Sequence, residues 1–351
     1  MVMRGSIVAA VSALLLLDVA DVWGQEPAMV FEAGHSSLQQ WRLPDTPPSP
    51  QDNVLTSERA ALGKMLFFDP RLSITGQSSC ASCHMPERGW SDGFPTSVRL
   101  MGAAMTRASP TIVNVGYNSI YLWDGRSPTL EHQALNGISA SGSMNAGSAK
   151  PGDGLANIQM LRGYVDAFER AYPAEGVTAK SVARAIASFE RTVVSNDSPF
   201  DHWVKGDGSA LNDQQVRGFA LFAGKAGCVA CHSSPNFTDN GFHSVGLKSS
   251  LEHDADVGRY KQLALVSMKG AFKTPTLRDV EFTAPYFHDG SASTLMQVVE
   301  HYATGGERSP SLSPNMKALD LSMQEKEDLV AFLRALSSPR QVFEYPTLPK
   351  R

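Results

Sequence analysis

The sequence is poor in cysteine, in basic charge and in long apolar runs, and each shortage excludes a class of protein. Four cysteines among 351 residues are too few for a small disulfide-stapled module. Lysine and arginine number 31 against 35 acidic residues, which disfavours nucleic acid as a partner. No stretch after residue 24 is apolar over the roughly 20 residues that a membrane-spanning helix needs, so an integral membrane protein is not expected. The remaining composition, 42% hydrophobic and 19% charged, is that of a globular protein with room for two domains.

The first 24 residues have the pattern of a cleavable signal peptide. Arg4 precedes an apolar run over residues 7–17, and small residues near Gly24 suit a signal peptidase. The run is shorter than a membrane-spanning helix, although an uncleaved anchor is the alternative. We therefore expect residues 1–24 to be removed and the mature protein to lie in the periplasm.

The four cysteines form two pairs, and a histidine follows each pair at once. The two segments are Cys80-Ala-Ser-Cys83-His84 and Cys228-Val-Ala-Cys231-His232. This is the attachment pattern of c-type heme, in which two thiols form thioethers and the histidine becomes an iron ligand. In a secreted protein two disulfides are the competing interpretation, and a zinc or redox dithiol site is another. Because both matches together use every cysteine, the sequence predicts two covalently bound hemes c.

The segments around the two motifs resemble each other. Helices are predicted over Ser57–Phe68 and over 212–225, each just before a motif, from capping residues and apolar spacing of three and four. Similar tails, GWSDGF at 89–94 and FTDNGF at 237–242, follow the motifs. We therefore expect a mainly α fold of two cytochrome c-like domains, residues 25–195 and 196–351, each with one covalent c-type heme and long loops.

Two further helices and one loop are predicted outside the repeated segments. An amphipathic pattern over 178–195 predicts a helix that packs on a core. Ser322 and Glu325 form a capping box for a helix through about Leu336. Strand alternation is scarce, and the Gly, Ser and Ala content of 136–154 favours a long loop.

Several short segments, in order along the chain, resemble the bacterial di-heme cytochrome c peroxidase and MauG family. They are FDPRLS at 68–73, GWSDG at 89–93, RASPT at 107–111, WDGR at 123–126, KTPTLR at 273–278 and TAPYFHDG at 283–290. The resemblance covers nearly the whole mature chain and is closest to the MauG-type (MbnH-like) subgroup.

The resemblance implies roles for three residues of the heme surroundings. Trp123 matches the tryptophan between the two hemes that mediates electron or hole transfer. Gln133 matches a glutamine on the distal side of the first heme, and His288 matches a histidine near the propionates of the second. Taken alone, Trp123 would be interpreted as a core aromatic residue and Gln133 as an exposed helix residue.

The resemblance also implies one calcium ion at the domain interface. Asn114, Thr283 and Pro285 match the residues around it, the last two partly through backbone carbonyls. Amide and carbonyl oxygens suit a hard cation. Taken alone, the same residues are ordinary turn formers.

The second heme departs from the peroxidase pattern. The peroxidases have a methionine as distal ligand, and here that position is Tyr302, a feature of MauG-type proteins. A phenolate stabilises ferric and higher states of iron, whereas a thioether stabilises ferrous iron. Met296 and His301 are competing ligands; a helix places Met296 nearly two turns away and His301 about 100° around the axis.

The first heme also lacks an expected ligand. Peroxidases of the family carry a histidine in the loop after GWSDG, but residues 97–101 are SVRLM, and the next histidine is His132. Met101 or Met105 could bind the iron instead. We expect a five-coordinate iron that is open to peroxide.

The distal acid of the first heme is missing as well. The glutamate that the family places after the glutamine falls near Ser143. A general acid and base is needed to move a proton between the two oxygens of peroxide. Gln133, a water molecule or Glu131 is expected to replace it, or peroxide turnover is slow.

These resemblances imply a periplasmic di-heme enzyme that uses hydrogen peroxide to form a high-valent di-heme oxidant. The oxidant would then oxidise residues, tryptophan first among them, of a secreted partner protein; in the MbnH-like subgroup the substrate is a tryptophan of a copper-binding partner. The alternative is a cytochrome c peroxidase that removes hydrogen peroxide with electrons from a small cytochrome c or cupredoxin. A second alternative is a non-catalytic di-heme electron carrier with two six-coordinate irons.

Overall fold

The computed structural model describes residues 31–97, 105–139, 144–145 and 154–350. Met101 and Ser143, discussed above, lie outside these ranges. The described residues form α-helices, short 3-10 turns and one two-stranded antiparallel sheet, β1 (Phe242–His243) with β2 (Phe272–Lys273). The helices are α1 (Ser57–Phe68), α2 (Leu130–Ile138), α3 (Leu155–Gln159), α4 (Arg162–Ala171), α5 (Ala179–Glu190), α6 (Pro199–Val204), α7 (Asp213–Ala223), α8 (Leu295–Thr304) and α9 (Met323–Ala335). Among these helices none is long and apolar enough to cross a membrane.

The same helix crossing occurs twice. Helix α1 packs on α5 and α7 packs on α9, and each crossing has a glycine at its closest point. A Cβ atom on Gly63 would overlap the carbonyl oxygen of Ala185, and one on Gly218 would overlap that of Asp328. Glycine is required at both positions because the two helix backbones are in contact. The internal repeat predicted from the sequence is therefore confirmed at the level of helix packing.

Each crossing contributes to a hydrophobic core. The first core is built from buried residues between positions 62 and 193, and the second mainly from residues 200–336. Leu38 and Trp41, near the start of the described chain, belong to the second core. Phe343, near its end, packs against the first. The two halves are thus held together by segments near both ends of the described chain, and the division into residues 25–195 and 196–351 stays a prediction.

A second repeated unit leads into α2 and α8. A tight hairpin precedes each helix, and a threonine, Thr129 or Thr294, caps its N-terminus through the side-chain oxygen. Six residues before these caps the hairpins carry Trp123 and His288, respectively. The hairpins are closed by the antiparallel bridges Tyr121↔Ser127 and Tyr286↔Ala292. Trp123 and His288 are therefore equivalent positions of the repeat.

The predicted helices occur where the sequence placed them, with small differences at their ends. Helix α1 has the predicted bounds, and α5, α7 and α9 lie within or at the predicted ranges. The loop predicted over 136–154 was wrong at its start, because α2 continues through Ile138. Burial of Ala134 and Ile138, one helical turn apart, explains the extension.

Candidate functional site

A cavity of about 490 Å³ runs between the two halves, within the range of about 300–1,000 Å³ that is usual for cofactor pockets. Both predicted attachment motifs and Trp123 line it. All four cysteines are unpaired and half-buried, as covalent heme attachment requires. Burial raises the pKa of Cys228 to about 12, so its thiol stays protonated until it reacts.

The two predicted proximal histidines are held in the same way. His84 Nδ1 lies 3.2 Å from the carbonyl oxygen of Trp90, and His232 Nδ1 lies 2.9 Å from that of Phe237. Because a carbonyl only accepts, each Nδ1 carries the proton and each Nε2 keeps its lone pair for a metal. Burial lowers the pKa of His232 to about 4 and shifts that of His84 in the same direction, which keeps both rings neutral. Free thiols, oriented imidazoles and a shared cavity fit two covalently attached hemes.

The predicted transfer residue Trp123 lies at the junction of the two halves. Its Nε1 donates a hydrogen bond of 2.9 Å to the Ala108 carbonyl, and its own carbonyl accepts from the Lys273 amide at 2.8 Å. Lys273 belongs to the second half of the chain, so Trp123 is held through its indole in the first half and through its backbone in the second. The ring centroid is 6.5 Å from that of His288.

His288 is buried beside Trp123. Its ring stacks on Phe272 with centroids 3.5 Å apart, and its carbonyl accepts from the Ala108 amide at 2.7 Å. Ala108 thereby connects the backbone of His288 with the indole of Trp123. Burial lowers the pKa of His288 to about 4, so the ring is neutral. Its place near the propionates of a second heme stays a prediction.

Helix α8 presents one of the three candidate distal ligands to the cavity. Tyr302 lines the cavity, and burial raises the pKa of its phenol, with further raising from the nearby Cys231 and Cys228 sulfurs. Met296 packs against the second core instead. His301 is occupied by a 2.8 Å hydrogen bond between its Nε2 and the Val245 carbonyl.

The repeat gives α2 a different residue at the position of Tyr302. Gly137 in α2 and Tyr302 in α8 each lie eight residues after the threonine that caps their helix. Both line the cavity. Gln133, one turn earlier in α2, also lines it and is half-buried, in contrast to the exposed residue that its sequence alone suggests. The first half is thus open where the second half carries a phenol.

The sequence analysis missed a fourth candidate for the distal ligand in the second half. Met316 is 8% exposed and lines the cavity, and the amide of the adjacent Asn315 lies 3.8 Å from the Cys231 sulfur. Met316 comes from an irregular segment between α8 and α9, where no periodicity indicates the direction of a side chain.

The first half contains one expected and one unexpected group. Met105 lines the cavity, as a candidate ligand of the first heme iron must, whereas His132 is exposed. Glu131 does not face the cavity, because Arg191 binds it at 2.7 Å and the Asn53 amide at 2.8 Å. The carboxyl group that lines the cavity belongs to Glu190 at the end of α5. The predicted amphipathic helix contained this residue without indicating its orientation.

The three predicted calcium residues are in different surroundings. Asn114 exchanges two hydrogen bonds with the Ser195 backbone, accepting at 2.8 Å and donating at 2.9 Å. Thr283 and Pro285 line the cavity, and the Thr283 hydroxyl donates to the Val280 carbonyl at 3.1 Å. Asn114 keeps one free lone pair on its amide oxygen, and the calcium ion stays a prediction.

Another group with metal-ligating atoms lies in the second half. Atoms of Cys231, Asp239 and His243 are within 4.8 Å of one another. The Cys231 sulfur belongs to an attachment motif, and a thioether cannot serve as a thiolate ligand. The remaining pair is a hydrogen bond of 2.8 Å between His243 Nε2 and an Asp239 oxygen.

Comparison with known proteins assigns the family. Residues 57–209 match the family model described as "Di-haem cytochrome c peroxidase". The methylamine utilization protein MauG of Methylorubrum extorquens is 43% identical over 311 residues, which are 88% of this chain and 87% of that protein. A cytochrome-c peroxidase of Pseudomonas sp. strain SCT is 39% identical over 332 residues, 86% of this chain and 87% of that protein.

Among solved structures, the crystal structure of a MauG-like protein associated with microbial copper homeostasis superposes with a TM-score of 0.78 and 33% identity. The match covers 85% of this chain and 95% of that one. The fold and the site therefore define a di-heme oxidoreductase, an enzyme and not a simple electron carrier. This chain belongs to the di-haem cytochrome c peroxidase and MauG family, as its sequence motifs predict.

Proposed function

We propose that this chain uses hydrogen peroxide to oxidise residues of a partner protein in the periplasm, chiefly tryptophan. The observation that supports it best is the difference between Gly137 and Tyr302 at equivalent places in the cavity wall. At this place the first half has only a glycine, which would leave room for peroxide beside a bound heme. The second half carries the phenol of Tyr302 at this place, and if it bound the second heme it would be a ligand type that favours oxidised iron over the storage of electrons.

Two hemes c, held by the attachment motifs, would supply the iron chemistry with peroxide. The protein's own groups perform the remaining tasks. The carbonyls of Trp90 and Phe237 orient His84 and His232. Gln133 provides a hydrogen-bonding amide in the first half, and Trp123, fixed between the halves, carries charge from one to the other.

The nature of the partner is proposed from the relatives. The structurally similar MauG-like protein is associated with microbial copper homeostasis, and we extend this association to the partner of the present chain. Residues 1–24, with the pattern of a signal peptide, would bring the enzyme to the periplasm, where a secreted copper-binding partner is available.

The function is tested by adding one equivalent of hydrogen peroxide to the diferric protein and recording Mössbauer spectra. We expect both iron sites to change together. Incubation with a co-encoded secreted protein should then add oxygen to a tryptophan of that protein, detected by peptide mass spectrometry. A change at one iron only, or rapid consumption of peroxide with a reduced small cytochrome and no partner oxidation, would contradict the proposal.

Replacement of Tyr302 by phenylalanine tests the second half. The variant keeps the ring and removes the oxygen, so we expect the reduction potential of the second iron to rise and partner oxidation to fall at least about tenfold. Ferric electron paramagnetic resonance and redox titration measure the change. The control is Met316→Leu, which should leave both readings unaltered. If Met316→Leu alters the low-spin signal and Tyr302→Phe does not, the tyrosine assignment is wrong.

The same control addresses the second candidate function, peroxide detoxification with electrons from a small redox protein. The position of Met316 in the cavity wall favours it, since a thioether ligand would raise the potential of the second iron. Fast turnover with a reduced cytochrome c or cupredoxin, lost in Met316→Leu, would support this function.

A further inference from the structure

Glu190 is a buried carboxyl group without a visible structural task. It is the last residue of α5, is 4% exposed and lines the cavity. Its Oε2 atom is buried and has no hydrogen-bond partner among the described residues. Buried polar groups are normally paired, so an unpaired one that faces a cofactor cavity calls for a ligand or a chemical role.

The repeat shows which residue type occupies the position of Glu190 in the second half. Phe189 packs against the glycine of the first helix crossing and Phe332 against that of the second, with Cβ atoms 2.9 and 2.7 Å from the position of an added Cβ. The next residues, Glu190 and Leu333, are therefore equivalent. Leu333 is 7% exposed and also lines the cavity. An apolar side chain satisfies the packing in the second half, so the packing alone does not require a carboxyl group in the first.

The charged neighbours of Glu190 do not neutralise it. Arg191, on the same helix, directs its guanidinium to Glu131 of α2 and to the Pro48 carbonyl. The Tyr121 hydroxyl donates to the Asn118 carbonyl. The other titratable group nearby is the Cys80 thiol, which heme attachment would consume.

Without a counter-ion, the carboxyl group of Glu190 keeps its proton to a higher pH. Burial raises the pKa of Glu190 to about 8, with only partial opposition from the charge of Arg191. A carboxyl group with a pKa near the working pH can both give and take a proton, which is the requirement for general acid and base catalysis.

We propose that Glu190 carries the proton between the two oxygens of hydrogen peroxide in the first half of the cavity. In the family a distal glutamate has this role, and its position falls near Ser143 in this sequence. The proposal rests on the proposed use of peroxide. As the O–O bond breaks, its electron pair goes to the leaving oxygen. Glu190 gives this oxygen its proton and recovers the proton of the oxygen that stays. One water molecule leaves and the carboxyl group is restored. The two hemes, when bound, would supply the two electrons that the retained oxygen needs.

The test is stopped-flow cleavage of two oxidants by the heme-loaded Glu190→Gln variant. With hydrogen peroxide we expect O–O cleavage to slow on the order of 100-fold, and its dependence on pH near 8 to vanish. With peracetic acid the rate should stay within a few-fold of the unaltered protein, because acetate leaves without a proton. An equal loss with both oxidants, or none with hydrogen peroxide, would overturn the proposal.

Glu190→Leu is the matched variant, since leucine is the residue at the equivalent position of the second half and should pack there. It should show the same selective loss with hydrogen peroxide. Infrared spectra of the unaltered protein should contain a protonated carboxyl band that titrates near pH 8 and is absent from either variant; a carboxylate already ionised at pH 6 would overturn the proposal. If the selective loss is found but no partner protein is oxidised, the proposed function fails and the role of Glu190 stands.

Discussion

Replacing Gly218 by alanine is expected to destabilise the second half of the protein strongly. The added Cβ atom would overlap the Asp328 carbonyl oxygen and lie 2.7 Å from the Phe332 Cβ atom. Alanine favours a helix over glycine by about 1 kcal/mol. Overpacking costs about 1–3 kcal/mol when neighbours can move and more when backbone must move, so the contact outweighs the helix preference.

Chemical denaturation of the heme-loaded protein measures this effect as a loss of free energy of unfolding. Gly63→Ala should produce a comparable loss in the first half, because its Cβ atom would overlap the Ala185 carbonyl. Gly208→Ala is the control: the residue is exposed, and its Cβ atom would meet only Ala33 at 3.9 Å. Equal stability of the Gly218→Ala and Gly208→Ala variants would show that the helix backbones do not touch as described.

The sequence predicts the elements of this fold better than their orientation. Two attachment motifs and their preceding helices follow from local patterns, because caps and apolar spacing are written within a dozen residues. The bounds of α1 were predicted to the residue. The extension of α2 through Ile138 was missed, since it depends on burial against α5, a contact between residues far apart in the chain.

The candidate site was predicted in part for the same reason. Tyr302 and Gln133 were found through family motifs, and both line the cavity. Glu190 was inside a predicted helix, but its orientation toward the cavity depends on where α1 crosses α5, which no local pattern encodes. Met316 lies in an irregular segment that has no periodicity at all. Residues supplied by helix crossings and loops therefore need the tertiary structure.

The repeat also explains how one scaffold gives two different halves. At three equivalent places the first half carries Trp123, Gly137 and Glu190 where the second carries His288, Tyr302 and Leu333. Because the surrounding helices and hairpins are alike, each difference acts on the cavity without altering the fold. Under the proposed function, the open wall with Glu190 is the part that reacts with peroxide, and the apolar wall with a phenol is the part that retains an oxidised iron.

Replacement of Trp123 by phenylalanine should separate the two halves functionally. Phenylalanine lacks the Nε1 hydrogen bond to Ala108 and is harder to oxidise than indole. We expect the first iron to react with peroxide at its usual rate, and oxidation of the second iron to slow at least about tenfold, equivalent to about 1.4 kcal/mol of barrier. Rapid-freeze Mössbauer spectra after one equivalent of peroxide resolve the two irons.

The control for this variant is Trp203→Phe, the same substitution in the second core, where Trp203 is buried against Phe200 and Phe219. A general loss of packing would slow both variants alike. If the second iron is oxidised equally fast in Trp123→Phe and in the unaltered protein, charge crosses by another route. Ala108 would then be the connection to examine, because its amide and carbonyl already join His288 to position 123.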